Sequence, residues 1–569
     1  MALTMALLFG GILFFFFGYR IYARLIEKSI VKPDPNALTP AYQKYDGLDY
    51  IPAKVPLLWG HHFSNIAGAG PILGPLVAVA AFGWAPTLLW VLLGAVFCGA
   101  VHDYLVLCVS MKNGGVSIAT VAQTTLGKRA KLILSLFLFL SLILIIAVFA
   151  VTSAQTIVEK PELVIPTFGI IPLALFLGLC VYKLRMRLLP ISIIATLLMC
   201  LLIYLGVKFP LEVPKNFLGL GAAFFWTLIF FIYGLSASIL PVGYLDQPRD
   251  YISTVILFLG VGLGLVSLVF AHPPMSAPAF ISFSSPSQGP LWPMLFVLVA
   301  CGAISGFHSL VSGGTTAKQL PNEKYQKTVG YGAMLAEGIV ALLSALLVSA
   351  GLYWSSVPDT EANSYNLPTL LKEKGWIFTF GTAYGRVVSQ AFSFIPFAIA
   401  SVFAMLMLNA FVLTTLDTAV RLGRYIIQES AGETISLLKN RTLTSFIVVI
   451  PAFILTLTNT WQAMWPIFGA ANQLIAALAL LVVTAYLSYA KKPTKFSLVP
   501  GIFITLTTIA ALVYKVNEYL LGEKKQLLLG VTAILLIILA VLVLFETIHC
   551  MRKLYQNRHK KPFSQDSVP

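Results

Sequence analysis

The fold class predicted by this sequence is an all-α polytopic membrane protein with about 15 transmembrane helices, a 5+5 inverted-repeat core and discontinuous helices. Three observations predict it. Of 569 residues, 58% are hydrophobic and only 11% charged, whereas soluble domains carry about 25% charged residues. Apolar runs of about 18 residues or more recur from end to end, as a hydrocarbon layer about 30 Å thick demands of each spanning helix. Two of these runs are punctuated by Gly and Pro in a way that a simple spanning helix does not need.

In chain order, the expected spans are 5–26, 62–82, 86–110, 131–155, 165–182, 188–206, 218–240, 251–272, 291–313, 329–354, 387–413, 442–458, 464–488, 496–515 and 526–548. The first opens at the N-terminus with no base before Arg20, which reads as a retained helix and not as a cleaved leader. Placing the N-terminus outside and the C-terminus inside puts 29 Lys and Arg on the inner side and 9 on the outer. That bias is the orientation signal of membrane proteins. It also accounts for the net charge of +16: the bases sit in small groups at helix ends, not in a stripe, so a nucleic-acid surface is excluded. Cys98, Cys108, Cys180, Cys200, Cys301 and Cys550 lack ligand spacing and read as small buried hydrophobes.

Four joints are long. Residues 27–56 form a Pro- and Tyr-rich inner segment, and 273–290 form a Pro- and Ser-rich outer one. Residues 355–386 read as the longest outer loop. Residues 417–440 read as an inner connector, with Leu416–Leu438 an amphipathic helix on the membrane surface.

The second span contains Gly60–Pro75, with Gly68, Gly70, Pro71, Gly74 and Pro75 within eight residues. Proline removes a backbone donor and glycine tolerates non-helical angles, so a break is expected here. Its freed carbonyls suit a cation and its freed amides an anion; the plainer alternative is a tightly packed small-residue helix. The flanking His61, His62, Ser64 and Asn65 favour a solute site made with Gly68, Gly70 and Gly74. A second break is expected over Tyr233–Gly243, where Ser236 and Ser238 would also meet solute. Over 305–316, Ser305, Ser309 and Ser312 fall on one face of a continuous helix, with His308 one position off and Thr315 and Thr316 beyond. Those oxygens suit Na⁺, or else bond locally to backbone.

Ionisable residues at membrane depth are costly unless paired or protonated. His102 and Asp103 are adjacent, and adjacent helix positions diverge by about 100°, so they are expected to face different partners. Asp103 and Glu337 are the candidates for handling a proton, with Asp417 near an inner helix end. Asn459, Trp461, Asn472 and Gln473 mark a further polar stretch, read either as interhelical bonding or as a solute contact.

Counting segments, two to six form one five-helix group and seven to eleven another of opposite direction, each opening on a broken member. This divides the chain into 1–56, 57–206, 207–413 and 414–569. It is the arithmetic of an inverted-repeat transporter holding solute between two breaks.

The run His61-x-Phe63-x-x-Ile66-Ala-Gly-Ala-Gly-Pro71-x-x-Gly74-Pro75, with His102-Asp103, Gly313-Gly314-Thr315 and Asn472-Gln473, resembles the carbon starvation protein A family over nearly the whole chain. The resemblance implies a bacterial inner-membrane secondary transporter grouped distantly with the amino acid, polyamine and organocation transporters. It implies import of peptides coupled to protons or sodium, with pyruvate or another small carboxylate and protons as the alternative. The partners are then a small-molecule substrate and membrane lipids, with H⁺ or Na⁺ as coupling ion, no other cofactor and no metal. A channel or a membrane-bound starvation sensor are the competing classes. No enzyme is indicated, since no nucleophile elbow, phosphate loop or His-Glu-x-x-His occurs.

Overall fold

Inside a hydrocarbon layer each backbone N–H and C=O needs a partner within the protein, and a helix supplies one for nearly all of them. The computed structural model describes residues 2–214, 216–217, 220–240, 245–354, 365–431, 435–457, 461–522 and 525–558, and most of these are helical. Among them, thirteen helices are long and apolar enough to span a membrane, and each overlaps an expected span. The other two expected spans differ. Residues 442–458 correspond to Arg441–Thr456, a 16-residue apolar helix. Residues 291–313 are not one helix: they fall into Leu291–Leu298, Ala300–Ala303 and Phe307–Val311.

Three further expectations are corrected. Ala222–Ile239 is an uninterrupted helix, so no break occurs at Tyr233–Ile239, and Pro241–Gly243 lie outside the described residues. Phe397–Ala431 is one 35-residue helix whose 414–426 portion is buried, so Leu416–Ala431 is not a surface helix. Asp417, Arg421 and Arg424 resemble joint residues in sequence, but Asp417 and Arg421 are paired internally and the run stays inside. Finally, the described part of the supposed loop 355–386 holds the helix Gly375–Ala391, packed on Phe397–Ala431. Glycines let the two approach: a Cβ on Gly385 would stand 3.0 Å from Ser401 Cβ and 3.1 Å from Phe397 O.

Burial orders the helices from the centre outward. Within the 18-residue apolar stretch of each span, every residue of Met464–Tyr489 and 94% of those of Val55–Phe82 are buried, against 28% for Leu3–Val31 and 33% for Leu527–Arg552. The outer ones present Phe9, Leu13, Leu535 and Phe545 outward, which is suited to acyl chains. Cys200 is exposed on such a face, against the expectation of burial.

The joints assigned to one side do meet. Lys112 Nζ lies 2.8 Å from Glu323 Oε1, Lys327 Nζ 2.5 Å from Glu27, and Lys492 Nζ donates to Ile30 O at 2.7 Å. Tyr425 donates to Asp49 at 2.5 Å on the same face. At the other face, the Pro- and Ser-rich segment ties across helix ends, with Trp84 N donating to Pro278 O and Ile281 N to Phe82 O. Gly83, at φ +95°, is needed there, because a Cβ would lie 2.5 Å from Ala279 O.

Candidate functional site

Two interrupted helices cross the middle of the molecule. The first consists of Val55–Ile66 and Gly70–Phe82, separated by three residues, as the glycines and Pro71 predict. A buried helix end must find partners for its last carbonyls. Here Phe63 O accepts from Ala67 N and Ile66 O from Gly68 N, both at 2.9 Å. Thr414 and Thr415 hydroxyls donate to Ser64 O at 3.0 Å and Asn65 O at 3.4 Å. The freed carbonyls, expected to hold a cation, are therefore taken by two threonines of Phe397–Ala431.

The second interruption is at Ile304–Gly306, where Ile304 is extended (φ −162°, ψ 125°). Asn472 caps it: its side-chain Oδ1 accepts from Phe307 N at 2.8 Å and its backbone O from Gly306 N at 2.9 Å. Its Nδ2 reaches Ser305 Oγ at 2.9 Å. Since the helix starts only at Phe307, Ser305, Ser309 and Ser312 do not form the expected stripe. Ser305 bonds Asn472, Ser309 donates to Gly306 O at 2.6 Å and Thr315 to Val311 O at 2.9 Å. Gln473 donates to Phe296 O and accepts from Thr508. Asn459 lies outside the described residues.

The interrupted helices touch through glycine. A Cβ on Gly70 would lie 2.3 Å from Cys301 Cβ, one on Gly74 2.4 Å from Leu298 O, and one on Gly68 3.0 Å from Thr415 Oγ1. Packing accounts for all three positions.

What remains unsatisfied is side chain, not backbone. His61 Nε2, His62 Nε2, Ser64 Oγ and Asn65 Oδ1, on the last turn before the first break, are buried with no hydrogen-bond partner among the described residues. Native proteins leave few such groups, and a cluster calls for a ligand or water.

His61 and His62 lead into separate polar networks. His61 Nδ1 is 2.7 Å from Asp250 Oδ2, which also accepts from Asn65 Nδ2 at 2.9 Å. Asp250 Oδ1 lies 3.3 Å from Arg249, whose guanidinium also meets Asp417 and the Tyr233 hydroxyl; Tyr233 donates to Asp417 Oδ2 at 2.8 Å. One turn on, Arg421 pairs with Asp246 at 2.5 Å and donates to Ala237 O at 2.6 Å. It stands 3.9 Å from Asp49, at the face where the joints of Lys112, Glu323 and Lys492 meet. Asp49 is outside the spans. Burial alone would raise its carboxyl, but the Tyr425 hydroxyl and the Lys318, Arg424 and Arg421 charges outweigh this and hold it below the ordinary range.

On the other side, His62 Nδ1 bonds Thr316 Oγ1 at 2.8 Å. Asp103 takes two imidazoles, His102 Nδ1 at 2.7 Å and His308 Nδ1 at 2.8 Å. His102 and Asp103 thus form the dyad that helical divergence argued against; the imidazole swings back along its own helix far enough to close it. His308 Nε2 lies 3.2 Å from Glu337 Oε2, though not aligned as a hydrogen bond. With Nδ1–H committed to Asp103, a neutral His308 would turn a bare nitrogen on a bare carboxylate. In that tautomer two acceptors would repel at this distance, and a proton on either partner would relieve it.

Two expected residues stay apart from this centre. Ser236 is exposed and bonds its own helix at Ile232 O, and Ser238 bonds Ser445 on Arg441–Thr456. Conversely, sequence reasoning does not find Asp250 and Asp246, and it counts Arg249 and Arg421 among the 29 bases of the inner joints. Three charges and a proline within Asp246–Asp250, at the head of an apolar run, were the signal available. No three His, Cys, Asp or Glu among the described residues are placed to hold a metal ion.

The family model of the carbon starvation protein CstA matches residues 3–358 and 355–511. The peptide transporter CstA of Campylobacter jejuni is 31% identical, aligned over 91% of this chain and 81% of its own length. That of Bacillus subtilis is 32% identical over 93% and 94%. The pyruvate/proton symporter BtsT of Escherichia coli is 31% identical over 87% and 79%. In fold, the chain is similar to a manganese transporter of Eremococcus coleocola, with TM-score 0.52 and 13% identity over 90% of this chain and 99% of that one. The chain belongs to the carbon starvation protein CstA family, and its fold and relatives make it a multi-pass membrane transporter.

Proposed function

We propose that this protein imports peptides across the bacterial inner membrane in symport with protons. The observation that carries the choice of ion is the buried approach of His308 Nε2 to Glu337 Oε2 at 3.2 Å, a pair suited to taking up and releasing a proton, next to the two breaks. Sodium is disfavoured, because the hydroxyls of Ser305, Ser309, Thr315 and Thr316 are each engaged elsewhere, leaving Ser312 Oγ alone of that run without a partner among the described residues. Pyruvate or another small carboxylate is the second reading, favoured by the 31% identity to a pyruvate/proton symporter. The solute seat is the last turn before the first break, where His61, His62, Ser64 and Asn65 keep unpartnered polar atoms.

The inverted repeat belongs to this reading, with its second broken member shifted from 218–240 to Leu291–Gln319. Support comes from the paired contacts: Trp84–Lys112 packs on Glu323–Gly351, and Lys128–Glu159 on Phe397–Ala431. Each pair holds equivalent positions after its own break. The N-terminus lies outside and the C-terminus inside, by the distribution of bases.

Purified protein in liposomes tests the proposal. Labelled alanyl-alanine and pyruvate are offered under an imposed proton or sodium gradient. Accumulation driven by protons and lost in Glu337→Gln, with solute exchange retained, is the expected result. Accumulation driven by sodium alone, or proton-driven accumulation unchanged in Glu337→Gln, would refute the coupling site.

A further inference from the structure

Asp417 is an odd partner for a buried arginine. Its Oδ2 takes both bonds, from Tyr233 and Arg249, while Oδ1 is buried with no hydrogen-bond partner among the described residues. A permanent structural pair in a low-dielectric interior uses both oxygens, because each unpaired lone pair adds to the desolvation cost. Arg249 and Tyr233 also supply the charged and phenolic lining of a crevice between Val164–Gly178, Leu188–Lys208, Ala222–Ile239, Asp246–Ala271 and Phe397–Ala431. Its walls are apolar, with Phe168 and Phe230 stacked 5.8 Å apart. Ser253, 1% exposed, lines it with a hydroxyl that has no partner among the described residues. Asp250, the other neighbour of Arg249, is bonded to Asn65 and His61 on the last turn before the first break. The crevice lining and the proposed solute seat are therefore linked through one residue, Asp250.

We propose that Arg249 and Tyr233 are the seat of the solute's carboxylate, and that Asp417 is a built-in stand-in that the solute displaces. The inference rests on the proton-symport reading above and names the group that recognises the substrate. In the empty protein the guanidinium and the phenol hydroxyl donate to Asp417. When solute enters, both donate to its carboxylate instead, and no bond other than hydrogen bonds is made or broken. The anion that enters adds one negative charge to a buried site, and the proton that travels with it restores the balance. The groups facing Arg249 are Tyr233 on Ala222–Ile239, its neighbour Asp250, and Asp417, with Arg421 one turn further on Phe397–Ala431. From Val164–Gly178 the crevice receives Thr167 as its only polar side chain. A planar, bidentate guanidinium is the donor suited to a carboxylate, which a lysine would not replace. The lining thus suits a solute with a free carboxylate and an apolar body, and the walls must part to admit it, since the space as it stands is about 10 Å³.

The test measures uptake into proteoliposomes of alanyl-alanine against its C-terminal amide, and of pyruvate against pyruvamide. Wild type is expected to prefer the free acids. Asp417→Asn removes the competing carboxylate, so the apparent KM for the acid falls severalfold, whereas loss of a merely structural pair would raise it. Arg249→Gln alone strands two buried acids, so the charge-balanced double variant Arg249→Gln with Asp417→Asn is used. In it, the preference for acid over amide falls to near parity. Wild type that accumulates neither acid sinks the transport reading, and this inference with it. Wild type that transports acid and amide equally sinks the carboxylate seat alone. So does an Asp417→Asn with unchanged or raised KM. If the double variant does not fold, the Asp417→Asn result still decides.

Discussion

Replacing Asn472 by alanine isolates the part of the second break that depends on one side chain. Asn472 Oδ1 accepts from Phe307 N at 2.8 Å, the first N–H of the helix resuming after Ile304–Gly306, and Nδ2 binds Ser305 Oγ at 2.9 Å. Both atoms are buried, so no water can step in unless the site opens. A stranded buried N–H costs about 1–3 kcal/mol, and losing an N-cap acceptor costs about 1 kcal/mol, which partly overlaps with it. The Ser305 hydroxyl loses a partner as well, bringing the expected total to about 2–4 kcal/mol. Gly306 N keeps the Asn472 backbone carbonyl, so the damage is local to 305–309. Two measurements follow: thermal denaturation of the purified protein in detergent, and amide hydrogen exchange over 304–311. Asn472→Ala should melt earlier and exchange faster at Phe307 than wild type. Ser305→Ala should show a smaller shift, about 1 kcal/mol, since Asn472 then keeps its bond to Phe307. If exchange at 304–311 and the melting curve of Asn472→Ala both match wild type, Asn472 is not what holds the break.

Three more outcomes can be checked. A side chain at Gly70 should abolish uptake while the protein still inserts; Gly70→Val is the severe form. The cause is packing on Cys301, so Gly70→Ala should be rescued by Cys301→Gly, which removes the opposing Cβ, and not by Cys301→Ala. Equal inactivity of both double variants would return Gly70 to the solute site. Asp49, held below the ordinary carboxylate range in the folded state, contributes stability above its unfolded value of about 3.9 and loses it only as pH falls through the lower folded value. The melting difference between wild type and Asp49→Asn should then be constant from about pH 5 to 8, and a difference that fades on acidifying within that window would contradict the sign. Single cysteines at exposed Tyr45 and Lys372 should react with an impermeant maleimide from opposite sides of intact cells, Lys372 from outside. Reversed labelling would invert the topology.

Much of the fold is readable from hydropathy because the bilayer acts on each helix separately. Thirteen of the fifteen expected spans need only their own length and composition. The two that differ depend on neighbours: Arg441–Thr456 is short, and residues 291–319 break at a point where Ile304, Ser305 and Gly306 look unremarkable beside the Gly-Pro cluster of the first break. Nothing local forces that break. It exists because Asn472, 165 residues from Phe307 along the chain, satisfies the freed donors. Leu416–Ala431 was misplaced for the converse reason: its charges signal water unless Arg249 and Asp246 are known to stand opposite.

Alone, the sequence determined that the chain spans a membrane many times, that its second span is interrupted near Gly68–Pro71, and that His61, His62, Asp103, His308 and Glu337 lie at membrane depth. These follow from local properties, namely run length, the missing donor of proline and the cost of charge in hydrocarbon. Tertiary structure alone decided who partners whom. It drew Asp103, His308 and Glu337 from three helices into one buried chain of contacts and set Arg249 between Asp250 and Asp417. It also gave the freed backbone to Thr414, Thr415 and Asn472, leaving side chains as the unsatisfied groups. Pairing across hundreds of residues has no signature in one chain, because it depends on packing between helices and not on the composition of any one of them.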